Sequence, residues 1–358
     1  MAIVRKLVKI LLKAFSVLAA VCLLLSYLST YISPATFWPI AFFGLFFQVF
    51  LLANVFLLTF WIAVKKKFFI AHLAVLLLGM PYIGSFMQLR GKPDIVNEKA
   101  IKIVSYNIHT FNAIGGEDSS QDIAAFLNNE NADIVCLQEF FTYSDKQPKE
   151  QDFILMLKNL RHNHIFYNVV RKNSSFGLAI FSRFPIVGKG EFRFPGSSNG
   201  AIYADINVDG KVIRVYNNHL QSNSFNLSKT LSRFRQDDKR IEELVNASSK
   251  IKAAFVKRAE QVDRISDHIK SSPYPTIACG DFNDMPVSYT YRTMKGKLND
   301  AFKTAGRGVP STYRGFFPSF RIDYIFYNKT MKAESFEVLS DTSYSDHYPI
   351  VAVLSLTD

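Results

Sequence analysis

Eight polar side chains recur at the ends of separate apolar runs after residue 100: Asn107, Glu139, His219, Asp281, Asn283, Asp323, Asp346 and His347. The stretch that organises them is Gly280-Asp281-Phe282-Asn283-Asp284. It follows residues 275–279, which read as a buried strand, and precedes Met285-Pro286, where proline cannot continue a ladder. If the chain stays extended, alternation sends Asp281 and Asn283 to one side. An acceptor beside a donor suits a water molecule held next to a phosphoryl oxygen. Taken singly, each residue has a plainer reading. Gly-Asp-x-Asn is more often a polar turn, Glu139 a solvated carboxylate, and His219 a surface imidazole. Taken together, carboxylates, amides and imidazoles without thiolates suit a hard divalent cation, Mg2+ first, with Mn2+ or Ca2+ as alternatives. Such an ion polarises a phosphoryl oxygen and offsets charge that builds in the transition state. An Asp held against a His fixes its tautomer and favours its charged form.

Rigid strands must position these groups. Residues 101–107 alternate and end at Asn107, and 133–139 form a buried run closing on Glu139. Residues 177–182 make a further strand. Residues 201–208 and 211–219 flank Asp209-Gly210, a hairpin signal, and deliver His219. Residues 321–326 and 349–356 complete the strands. Helical spacing is expected over 122–129, 151–161 and 252–269. Residues 223–250, with Lys229, Arg233, Arg235, Lys239 and Arg240, read as a loop or an exposed helical insertion. Their acidic neighbours favour a solvated face over a headgroup contact. Residues 306–320 read as a loop. Three cysteines, Cys22, Cys136 and Cys279, all in apolar runs, exclude a disulfide framework and zinc-site spacing.

The chain before Asp94 has nine basic residues and no acidic one, so it supplies +9 of the formal +12. The basic balance is therefore a membrane-flank signature more than a nucleic-acid footprint. Residues 7–28, 39–64 and 68–89 are apolar runs long enough to cross a bilayer as helices. The first has a basic start like a signal peptide, but no small-x-small cleavage site. Three spanning helices are expected over residues 1–92. Lys65-Lys66-Lys67 and the basic amino terminus lie inside by the positive-inside rule. That places residues 93–358 on the outer, periplasmic side of an inner membrane. His72 reads as a tolerated polar group at a helix end.

Six short motifs occur in order: Ser-Tyr-Asn-Ile (105–108), Leu-Gln-Glu (137–139), Asn-His-Leu-Gln (218–221), Gly-Asp-Phe-Asn (280–283), Arg-Ile-Asp-Tyr-Ile (321–325) and Ser-Asp-His (345–347). In that order they resemble the endonuclease/exonuclease/phosphatase superfamily, from about residue 100 to the end. That superfamily includes DNase I-like nucleases, apurinic endonucleases, neutral sphingomyelinases and inositol polyphosphate phosphatases. The resemblance implies a four-layer α/β/β/α sandwich and metal-assisted attack of water on a phosphoester. Carried over position by position, Glu139 is the principal metal ligand, with Asn107 beside it. Asp281 orients or deprotonates water, and Asn283 and His219 contact phosphate, as does Asn107. His347 is the acid or transition-state donor, oriented by Asp323, and Asp346 is a further metal-side carboxylate. His109 stands where apurinic endonucleases carry Asp, which weighs against DNA repair. Arg183 resembles a recurrent basic position after the Gly-x-Ala-Ile strand.

The expected function is a membrane-anchored, divalent-metal-dependent phosphodiesterase or phosphatase. Its partners would be a lipid bilayer and a phosphoester, a lipid headgroup or nucleic acid, with no obligate protein partner. An outward-facing nuclease is the alternative within the enzyme class. A non-catalytic membrane scaffold is the alternative outside it, and the complete polar set weighs against that.

Overall fold

The computed structural model describes residues 1–89, 100–113, 115–222, 240–314 and 321–356. Among these residues twelve strands form two mixed sheets. They are β1 (Ala100–Asn107), β2 (Ile134–Tyr143), β3 (His162–Val170), β4 (Ser174–Ser182), β5 (Ile186–Arg193), β6 (Gly200–Val208), β7 (Lys211–His219), β8 (Thr276–Asp281), β9 (Asn299–Asp300), β10 (Asp323–Tyr327), β11 (Met331–Val338) and β12 (Ile350–Leu356). One sheet has the order β11-β12-β1-β2-β4-β3, the other β5-β6-β7-β8-β10-β9. The central pairs β1/β2 and β7/β8 are parallel; their neighbours are antiparallel.

Strand alternation explains the layering. Ile101, Ile103, Ile134, Cys136, Ile180, Ile213, Val215, Ile277, Cys279 and Ile325 face inward and make a core between the sheets. The opposite faces carry Val104, Val135, Phe181 on one sheet and Tyr216, Ala278, Phe326 on the other. Helices Ser120–Glu130 and Glu150–Met156 cover the first; Arg240–Lys270 and Tyr289–Lys295 cover the second. Between the sheets, Gln138 Nε2 donates to Asn217 Oδ1 (2.6 Å), and Asn217 Nδ2 donates to the carbonyls of Leu137 (2.8 Å) and Ala179 (2.9 Å). These buried amides lock the register in which the two sets of strand ends meet.

Several elements differ from the sequence expectation. The helix expected over 151–161 ends at Met156, and β3 follows. Both β3 and β5 are edge strands, and β5 alternates exposed Lys189, Glu191 and Arg193 with half-buried glycines. Charge on an edge deters further pairing and hides the strand pattern. β10 begins at Asp323, so Arg321 and Ile322 precede it. The helix expected from 252 begins at Arg240 and runs to Lys270. Residues 223–239, with Lys229, Arg233, Arg235 and Lys239, lie outside the described residues, as do 315–320 of the expected loop.

Before the sandwich, Ile3–Leu28 is one helix long and apolar enough to cross a bilayer. Pro39–Leu45 and Phe47–Ala63 form a pair bent by 61°. The third apolar run gives only Phe69–Leu78 and Met80–Ile83, because Gly79 and Pro81 interrupt it. Ten helical residues rise about 15 Å, half of a bilayer core of about 30 Å. His72 is buried, its Nδ1 2.8 Å from Asn54 Oδ1.

These helices pack on the sandwich. Leu23, Tyr27, Phe47, Val75 and Phe86 enclose Met285 and Val287. Arg321 Nη2 donates to the Ser85 carbonyl (2.9 Å) while pairing with Asp300 (2.8 Å). Phe42 meets Phe255 edge-on, and Arg292 stands 3.7 Å over the Tyr31 ring.

Candidate active site

The parallel register of β7 and β8 sets His219 beside Asp281, and the antiparallel register of β8 and β10 sets Asp281 beside Asp323. Three of the expected residues thus form one row across the end of a sheet. On the other sheet Asn107 pairs with Gln138, and Glu139 follows at a bulge where the β2/β4 register shifts. Glu139 has φ 58°. A bulge re-aims the side chain that alternation alone would misplace.

Asp281 is the hub and is 1% exposed. Its Oδ1 accepts from the Asn283 backbone N–H (2.8 Å). Its Oδ2 accepts from Asn107 Nδ2 (3.0 Å) and Asn283 Nδ2 (3.1 Å). His347 Nε2 and His219 Nε2 stand 3.7 and 3.8 Å from the same oxygen. Asn283 does not continue the strand, as extended backbone would require. Its φ is 53°, and its amide turns back onto Asp281 and the Leu220 carbonyl. Gly280, at φ 129°, passes so close to β7 that a Cβ there would lie 2.0 Å from the Asn218 carbonyl oxygen.

His347 Nδ1 is 3.0 Å from Asp323 Oδ2, and its ring meets Tyr313 edge-on at 5.0 Å. Glu139 Oε1 takes one long contact from Asn107 Nδ2 (3.4 Å) and lies 3.8 Å from His219 Nε2. Asp346 is more open; its Oδ1 is 3.4 Å from Ser345 Oγ and 3.9 Å from His109 Nδ1. All eight expected residues therefore meet at one end of the sandwich. Arg183 does not: it pairs with Asp133 (2.9 Å), just before β2, at the far end.

Burial and neighbours set the charges. Burial pushes Asp281 up to about 6, against the pull of His347 and His219. Burial also pushes His219 down to about 4, so it is neutral at pH 7. Burial alone would neutralise His347, but Asp323 and Asp281 outweigh it and raise the imidazole to about 10. Glu139 is raised, chiefly by burial, with Asp346 adding to it.

Some supporting residues were missed in the sequence. Ser345 Oγ donates to the Asn107 carbonyl (2.7 Å) and accepts from the His347 N–H (3.1 Å), tying the last loop to β1. Thr312 Oγ1 accepts from the N–H groups of Ile322 and Asp323. Arg258, fully buried, donates from Nη1 to the carbonyls of Gln221 (2.9 Å) and Asn283, and its Nε lies 3.4 Å from Asp284 Oδ2. It therefore bridges the loops after His219 and after Asp281. A signal existed: Arg258 shares the helical face of Phe255, Val262 and Ile265, where an apolar residue is expected.

Residues 104–347 match the model of the Endonuclease/Exonuclease/phosphatase family. The chain belongs to that family. Residues 6–86 separately match a Domain of unknown function (DUF8431). Among curated relatives, Sphingomyelinase C 2 of Leptospira interrogans is 25% identical over 324 residues, which cover 72% of this chain and 47% of the relative. The chain thus spans about half the length of that relative. Among solved structures, an endonuclease/exonuclease/phosphatase from Beutenbergia cavernae has a TM-score of 0.54 at 20% identity, over 72% of both chains. The human Nocturnin catalytic domain has a TM-score of 0.51 at 19% identity, over 74% of this chain and 98% of its own. These two likenesses show a shared fold. Members of the endonuclease/exonuclease/phosphatase family are phosphoester hydrolases.

A family hydrolase of this kind typically uses a divalent metal, and the donor set fits one. Four carboxyl groups, those of Glu139, Asp281, Asp323 and Asp346, gather around a single imidazolium, His347. Ligand atoms of Asp281, Asp323 and His347 lie within 4.8 Å of one another. Those atoms are largely taken: Asp323 Oδ2 faces His347 Nδ1, and Asp281 accepts three N–H bonds. Glu139 and Asp346 each take only a long contact of 3.4 Å, and the Asp346 charge helps to raise Glu139. Hard oxygen donors of this kind suit a hard divalent cation.

Proposed function

We propose that this protein is a membrane-anchored, divalent-metal-dependent phosphoester hydrolase, with residues 1–92 as anchor and 93–358 as the catalytic domain. The observation that carries the reading is the Asp281 carboxylate, which Asn107, Asn283, His219 and His347 reach from both sheets. Glu139, with Asn107 and Asp346, would hold the cation, Mg2+ in the first instance. When bound, the ion supplies polarisation of a phosphoryl oxygen and offsets its growing charge. Asp281, ionised above about 6, accepts the proton of an attacking water. Asn283 and Asn107 keep that carboxylate in place. Neutral His219 has Nε2 directed at the same space and donates to a phosphoryl oxygen. His347, held cationic by Asp323, gives a proton to the leaving oxygen. Its Asp323 bond keeps Nε2 as the donor.

The apolar amino-terminal helices support presentation of the site near lipid, and phospholipid headgroups are the substrate class we favour. With residues 68–89 as a third crossing, the orientation expected from Lys65-Lys66-Lys67 would put the site on the periplasmic side of the inner membrane; with two crossings it would lie on the inner side. Purified full-length protein with Mg2+ should hydrolyse a generic phosphodiester, and Glu139→Ala and His347→Ala should not. Turnover unchanged in both variants would reject the assignment. Release of headgroup from phospholipid vesicles, with plasmid DNA left intact, separates lipid cleavage from nuclease action. Steeply salt-dependent cleavage of DNA would reverse that preference.

A further inference from the structure

Beside the candidate centre lies a cavity of about 270 Å3 lined by Thr110, Phe141, Val169, Arg171, Ser174, Phe176 and Ser198. Its floor follows from strand register. Phe141 on β2 pairs with Phe176 on β4, and Phe176 pairs with Val169 on β3. The three apolar side chains thus stand in one row across three adjacent strands. The row abuts the chemistry at two points: the Phe176 ring is 6.4 Å from the His219 ring, and Phe141 lies two residues beyond Glu139. The wall is the turn His109–Phe111, whose three residues all have positive φ (45°, 56° and 61°). That uncommon backbone sets His109 near Asp346 while Thr110 lines the cavity.

Charge decides what the cavity accepts. Arg171 closes the β3–β4 hairpin through its N–H to the Ser174 carbonyl (2.8 Å), and its exposed side chain stands at the rim. Among the described residues its guanidinium forms no ion pair, and no carboxylate lines the cavity. Phe141 and Phe176 alone could attract a quaternary ammonium through their ring faces. The Arg171 side chain, which has no ion pair among the described residues, adds positive charge at the rim and opposes it. The larger surface cavity of about 350 Å3 between β3 and β5 contains none of the catalytic candidates.

We infer that this cavity is the subsite for one substituent of the phosphoester, and that it takes a ring-sized apolar or polar group that is neutral or anionic, in preference to a cationic headgroup such as choline. This deepens the proposed hydrolase reading and rests on a phosphoryl group held by His219, His347 and the cation. Its volume holds about one ring, below the range of about 300–1,000 Å3 usual for drug-sized ligands. The same discrimination would operate on a lipid headgroup or on a free phosphate monoester.

Binding of inorganic phosphate, phenyl phosphate and phosphocholine to the full-length protein in detergent with Mg2+ tests the inference by calorimetry. Phenyl phosphate should bind about ten-fold more tightly than phosphocholine, because one ring is buried and no cation faces Arg171. Arg171→Glu, at an exposed position that leaves the fold intact, should bring that ratio near or below one. Phe141→Leu should weaken phenyl phosphate several-fold and leave inorganic phosphate unchanged. If inorganic phosphate binds but the two monoesters bind alike and ignore both substitutions, the subsite is rejected while the hydrolase reading stands. If inorganic phosphate itself does not bind, both fall together.

Discussion

The two ends of the sandwich treat charge in opposite ways. At the end where β2 starts, Asp133 pairs with Arg183, and Lys102 pairs with Glu130 (2.7 Å), with each cation open to water. The hairpin there turns through Asp209 and Gly210 at φ 49° and 93°, residues suited to that geometry. At the end where β2 finishes, acidic groups are buried together around one imidazolium, and Glu139, His109, Thr110 and Asn283 are left-handed. One end satisfies local rules at little cost. The other breaks them, and its strain persists because two sheets and their buried amides hold it in place. Excess buried charge therefore marks the working end better than charge alone.

Substitutions at the two ends should separate accordingly. Glu139→Ala or His347→Ala should lower kcat/KM on the order of 1,000-fold at saturating Mg2+, with far-UV circular dichroism unchanged. Next in size is the bridge under the site. Arg258→Met removes donors from the Gln221 and Asn283 carbonyls and should cost about 1–3 kcal/mol in chemical denaturation, together with activity. Arg258→Lys should recover part of both. Smaller again is the pH response. In the proposed mechanism water activation needs ionised Asp281, and leaving-group protonation needs charged His347. The rate should therefore rise through about pH 6 and fall through about pH 10, with the acid limb moved lower by a bound cation.

His164 is a gentler probe, away from the site. Burial and then Lys189 depress it to about 4. The unfolded chain, titrating near 6.5, binds the extra proton first, so stability is intact above that value and declines as pH falls from there toward 4. His164→Gln should flatten the Tm loss between pH 7 and pH 5. Smallest of all, Arg183→Ala should change stability by about 1 kcal/mol and leave turnover alone, since Arg183 is half exposed and the buried Asp133 keeps the Lys102 N–H. A large catalytic loss at Arg183 would break the distinction between the two ends.

The sequence disclosed the site because strand termini are short, local signals. Asn107, Glu139, His219 and Asp281 each follow an apolar run, Asp323 opens one, and the family order links them. What stayed hidden was whatever depends on the partner across a gap. Asn283 was expected on extended backbone, yet its φ is positive and its amide folds back. Edge strands β3 and β5 were missed because half their surface is wet and their polar residues mask the two-residue period. Arg258 was visible only as an oddity on an apolar helix face. The third membrane run looked continuous by composition, while Gly79 and Pro81 divide it.

Met285 and Val287 sit against Leu23, Tyr27 and Phe47, only a few peptide units beyond Asp281. A fragment trimmed to begin at the sandwich would trade that greasy buttress for solvent, right behind the carboxylate proposed to handle water. Such a fragment lacks the packing on which the proposed centre rests, so activity screens belong on the chain that keeps its apolar helices.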